Sequence, residues 1–118
     1  MRTLIPALGF VLTAFLAAPP ARAEMIAPAD AKAHVGQTVT VEAAVSDVHT
    51  GRSGVTFIDI GGRYPDNAFT AVIFAGDLAK FPNAGALDGK TVAISGPVQL
   101  YQGRPEIILK SPDQFHAK

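Results

Sequence analysis

Apolar residues recur at every second position over several stretches of this chain, the period of a half-buried strand. From Gln37 to Thr50, Val39, Val41, Ala43 and Val45 share one face, and Thr38, Thr40, Glu42, Ala44 and Ser46 share the other. That stretch is long for one strand, and the small Ala43–Ala44 pair is where a bend fits. Val55 to Ile60 is a second strand, stopped by Gly61-Gly62. Ala68 to Ala75 is a third, apolar on both sides, as expected where both faces are covered. Thr91 to Leu100 alternates again but is interrupted by Gly96-Pro97, which marks a bend or bulge because proline cannot donate to a ladder. Tyr101-Gln-Gly-Arg-Pro105 reads as a tight turn, and Glu106 to Lys110 as the return strand.

Between these strands the signals are helical or irregular. Ala27 to Val35 begins with Pro28, is rich in alanine and stops at Gly36, a short helix expected to pack through Ile26 and Val35. Gly76 to Pro82 is a helical turn, with Asp77 placed to cap and Pro82 to terminate. The tail from Ser111 has one apolar anchor, Phe115, and is expected to fray after it.

The first residues follow a different logic. Arg2 precedes an uncharged apolar run from Leu4 to Ala18, Pro19-Pro20 breaks it, and Ala21-Arg-Ala23 has the small-x-small form of a cleavage site. The run is short for a spanning helix. Residues 1–23 are therefore expected to be a signal peptide and 24–118 a single domain, periplasmic or secreted, with no membrane attachment after cleavage. Without Arg2 and Arg22, eight basic side chains face ten acidic ones, a net charge of −2. A slightly acidic domain does not have the electrostatic profile of a general nucleic-acid binder, which usually carries a basic face. There is no cysteine, so neither a disulfide nor a thiolate metal site contributes to stability.

Five strands, a helix before the first and a short helix between strands 3 and 4 give the expected class: an all-β, five-stranded Greek-key barrel of the OB type. The run from Gly89 to Leu109, with its Gly-Lys-x-Val-x-Ile-x-Gly-x-Val pattern, an aromatic, a glycine turn and Pro-Glu-Ile-Ile-Leu, resembles the last hairpin of OB-fold nucleic-acid-binding domains related to the tRNA anticodon-binding domain. Val55 to Gly61 and Phe69 to Phe74 resemble their second and third strands. The resemblance implies a ligand lying across strands 2 and 3, between the first-second and fourth-fifth loops. Arg52, Arg63, Tyr64, Tyr101 and Arg104 fall in or next to those loops and are the candidate ligand-binding residues, with Tyr101 able to stack on a base or sugar. The plain alternative is that the arginines are solvated and Tyr101 packs against a barrel end.

Candidate partners are single-stranded nucleic acid, an oligosaccharide, or an envelope protein; oligomeric state is not encoded legibly. No catalytic residue, cofactor or metal is expected. His34, His49 and His116 share no ligand spacing, and no serine sits in a nucleophile motif. Asp47, Asp59 and Glu106, with Arg52, do not carry the motif of the OB-related thermonucleases, which use carboxylates and arginines around calcium. Asp59, between two isoleucines, faces either solvent or the groove floor with a partner.

Overall fold

The structure, a computed structural model, describes residues 23–118; the expected signal peptide falls, but for Ala23, outside the described residues. Eight strands form one sheet: β1 (Glu24–Ile26), β2 (Thr38–Thr50), β3 (Thr56–Ile60), β4 (Phe69–Ile73), β5 (Thr91–Pro97), β6 (Gln99–Tyr101), β7 (Arg104–Ile108) and β8 (Phe115–Ala117). The hydrogen-bonded order is β6-β7-β4-β3-β2-β5-β8, with β1 parallel to the start of β2. Among the described residues the ladders do not close on themselves. β5 and β6 are separated only by Val98, which bridges to Val35 instead. One run of chain thus pairs with β2 through β5 and with β7 through β6.

β2 divides its pairing in the same way. Thr38 to Ala44 pair with β5, and Val45 to Thr50 pair with β3. At the changeover the register slips between Val45 and Asp47. Up to that point the alternation holds, with Val39, Val41 and Val45 buried. Beyond it the phase reverses: Val48, not Asp47, packs against the core, and Asp47 and His49 emerge on the other face. The irregularity lies here rather than at Ala43–Ala44. The Ser46 hydroxyl accepts a hydrogen bond from the Gly62 amide at 2.9 Å, tying the bulge to the loop after β3.

The core is formed by Val39, Val41, Val45, Ile58, Ile60 and Phe69, joined by Ala71, Ile73, Val92, Ile94, Ile107 and Leu109. The helical expectations resolve into 3-10 turns. The first spans Pro28–His34 and buries Ala31, while Val35 is exposed and Ile26 packs from β1, a strand the pattern did not announce. Ala75–Lys80 and Ala84–Ala86 connect β4 to β5. Asp77 does not cap; it pairs with Lys80 at 2.8 Å.

The tail does not fray after Phe115. Ser111 and Gln114 form a capping box around Pro112–Gln114, and β8 then pairs antiparallel with β5. Gln114 is the fastener. Its Oε1 accepts from the Lys110 and Ser111 amides at 2.8 and 3.0 Å, and its Nε2 donates to the Ser95 and Ile108 carbonyls at 3.1 and 3.0 Å. Gly96 is what lets it approach: a Cβ there would lie 2.9 Å from Gln114 Nε2 and 2.8 Å from Ile107 Cγ2. Gln114→Ala removes four hydrogen bonds from a part-buried junction and is expected to cost about 1–3 kcal/mol in urea unfolding. A change within error would show the tail to be dispensable.

Candidate ligand-binding cleft

The reversed phase of β2 has a direct consequence for the outer face of the sheet. Register carries Asp47 opposite Asp59 on β3, Asp59 opposite Thr70 on β4, Thr70 beside Glu106 on β7, and Glu106 opposite Gln99 on β6. One polar row therefore crosses five strands. Next to it runs a row of His49, Phe57, Val72 and Ile108. His49 stacks on Phe57 with ring centroids 5.2 Å apart. The Gln99 amide donates to Glu106 Oε2 at 2.7 Å, and Asn67 Nδ2 donates to Thr70 Oγ1 at 2.7 Å.

A cleft of about 230 Å³ lies over this face. Its lining includes His49, Phe57, Asp59 and Thr70 from β2, β3 and β4, Tyr64 from the β3–β4 loop, and Tyr101 and Arg104 from the ends of β6 and β7 beside their turn. Tyr101 leads into a two-residue hairpin turn, Gln102-Gly103, in which both residues have positive φ. That geometry is the type I′ turn that matches strand twist. Tyr64 lies in the loop joining β3 to β4, ahead of a cis peptide at Pro65. Both rings are largely open to solvent, 63% for Tyr64 and 60% for Tyr101.

Arg104 joins the two loops. Its Nη2 donates to the Pro65 carbonyl at 2.8 Å and to Asn67 Oδ1 at 2.6 Å, and the guanidinium carbon lies 4.8 Å from the centre of the Tyr64 ring. This arginine spends donors on the protein itself. Arg63 does not line the cleft; it is mostly exposed and reaches Asp47 at 3.5 Å. Arg52 does not line it either and is exposed in the β2–β3 turn. Of the five residues anticipated from sequence, the structure brings Tyr64, Tyr101 and Arg104 together and leaves Arg52 and Arg63 outside.

Asp59 is 1% exposed and sits against neither arginine. Its Oδ2 meets His49 Nε2 at 3.2 Å. His49, Phe57 and Asp59 were not among the anticipated ligand residues. The available signal was Asp47-x-His49 on one strand facing Asp59 on the next, but only the slipped register makes them neighbours. A larger hollow of about 400 Å³ under the 3-10 turns is lined by Val48, Thr50, Leu78 and Phe81 among others, with no charged side chain.

No family model and no curated protein matches the chain. Solved structures do. An OBody, AM1L10, bound to hen egg-white lysozyme superposes with a TM-score of 0.62 at 17% identity, over 85% of this chain and 98% of its own. A putative aspartyl-tRNA synthetase from Leishmania major Friedlin matches with a TM-score of 0.59 at 16% identity, over 94% of this chain and 23% of its own. The Stn1-Ten1 complex of S. pombe matches at 0.53 and 12%, over 69% of this chain and 57% of its own. The fold is OB-like. At these identities the likeness concerns the fold, and the ligand has to be argued from the cleft.

If Arg104 latches the loops, Arg104→Ala should accelerate hydrogen exchange at the Asp66 and Ala68 amides, which bond to the Arg63 and Ile60 carbonyls. Amides of β5 should be unchanged. Unaltered exchange at Asp66 would show that the loop holds its shape without the latch.

Proposed function

We propose that the chain is an exported OB-type binding module, acting by binding rather than by catalysis in the periplasm or outside the cell, with single-stranded nucleic acid or another extended polymer lying across β3 and β4. In this reading β5 and β6 count as one bent strand, and β2, β3, β4, β7 and that strand make the five-stranded Greek-key barrel. The observation that carries the proposal is the pair of exposed tyrosines, Tyr64 and Tyr101, flanking a cleft on the sheet face. Exposed rings beside a groove are stacking platforms, and a base or a sugar ring offers the flat partner they need.

Charge sets the terms of that binding. Around the cleft Arg104 stands against Asp59 and Glu106, and Arg104 is already bonded to the Pro65–Asn67 segment. There is no surplus of positive charge for phosphates, so stacking rather than ion release carries the affinity. A protein ligand, such as an envelope partner, is the second reading. It is favoured by the same charge balance, and the OBody shows an OB-like fold engaging a protein surface.

Binding of fluorescent oligothymidylate and of a neutral oligosaccharide, measured by anisotropy and calorimetry, tests the proposal. Tyr64→Ala and Tyr101→Ala are each expected to weaken binding by about 1–3 kcal/mol, roughly 5- to 150-fold. Arg52→Ala should change it little. For the oligonucleotide the affinity should fall only about as steeply with salt as one phosphate contact requires, a slope near −0.7. Failure of both polymers to bind would leave the protein-partner reading in possession of the cleft.

A further inference from the structure

Asp47, His49 and Asp59 each offer one donor atom, and these atoms all lie within 4.8 Å of one another. We propose that they form a binding site for a divalent first-row transition ion, Zn²⁺ or Mn²⁺. The inference stands whether or not a polymer occupies the cleft.

Three independent observations lead there. The first is the donor set. One imidazole nitrogen and two carboxylate oxygens, with no thiolate, suit Zn²⁺ through the imidazole and Mn²⁺ through the carboxylates, whereas Mg²⁺ and Ca²⁺ favour oxygen alone. Donors about 2.1 Å from one ion in a tetrahedral shell stand about 3.4 Å apart, so a pair at the 4.8 Å limit closes by roughly 1.4 Å on binding. Asp47 and His49 are both partly exposed, and rotation of their side chains toward the buried Asp59 is the movement that binding would require.

The second is the state of Asp59. Its side chain is buried, it lines the cleft, and its Oδ2 meets only His49. Among the described residues Oδ1 has no hydrogen-bond partner. A buried carboxylate left half-satisfied is costly unless an ion or a donor completes it.

The third is the ladder. Asp47 and Asp59 are directly opposed across β2 and β3. Like charges facing one another across a pair of strands repel. Arg63 relieves only Asp47, at 3.5 Å, from a position three-quarters exposed. A simple structural His49–Asp59 pair accounts for Oδ2; it explains neither the free Oδ1 nor the second carboxylate facing it. A cation between the strands accounts for both.

The test uses the full chain without an affinity tag, stripped with a chelator and dialysed. Zn²⁺ and Mn²⁺ are titrated separately by calorimetry, and Mn²⁺ also by loss of its free electron-spin-resonance signal. One ion per chain is expected for at least one of the two metals. Asp47→Asn and His49→Gln should each raise the apparent Kd about tenfold or more, Asp59→Asn should abolish binding, and His34→Gln and His116→Gln should leave it unchanged. Circular dichroism checks folding; if Asp59→Asn does not fold, the first two variants decide. Absence of saturable binding by either ion, or binding that survives His49→Gln and falls with His116→Gln, would overturn the site.

Discussion

The slip of register at Ser46 is the constraint on which the rest of the molecule depends. β2 has to serve two partners, β5 along its first half and β3 along its second, and it changes between them where one extra residue is taken up. The extra residue turns Val48 toward the core and Asp47 and His49 away from it. An unbroken period of two would have put Asp47 on the same side as Val45, among isoleucines and valines, where an unpaired carboxylate is intolerable. A β-bulge is thus the means by which one strand keeps a continuous apolar interior and also furnishes the outer face with chemistry.

That face is organised by rows across strands rather than by segments along them. Asp47, Asp59, Thr70, Glu106 and Gln99 come from β2, β3, β4, β7 and β6, yet register makes them one line. The aromatic residues stand on either side of it: His49 and Phe57 stacked on the sheet, and Tyr64 on the β3–β4 loop with Tyr101 at the end of β6. Polar floor and aromatic walls are a general solution for holding a ligand that has flat faces and hydrogen-bonding edges.

Much of the fold was legible because local patterns carried it. The strands around Thr38, Thr56 and Phe69, and the turn within Tyr101–Pro105, each announce themselves by alternation or turn chemistry within a few residues, while the return strand, expected from Glu106, begins at Arg104. Tyr64 was legible as a loop residue on that basis, and Tyr101 and Arg104 as neighbours of a turn, although in the structure they close β6 and open β7. What was not legible required partners distant in sequence. A bulge adds a residue without altering composition, so the opposition of Asp47 to Asp59 could not be read from spacing. Residues 115–117 look like a polar end with one aromatic, and become a strand only because β5 has an edge to offer and Gln114 bonds to Ser95. Arg104 reads as a free cation until Pro65 and Asn67 are brought beside it.

The bonds of Arg104 also bear on the thermodynamics of recognition. A cleft walled by two independent loops would have to freeze both when a guest arrives, at a cost in configurational freedom for each. Here one guanidinium already ties the β6–β7 hairpin to the Pro65–Asn67 segment and lies over the Tyr64 ring. If a ligand enters this cleft, such preorganisation lowers the ordering cost of its capture, because part of the wall is already held before the guest arrives.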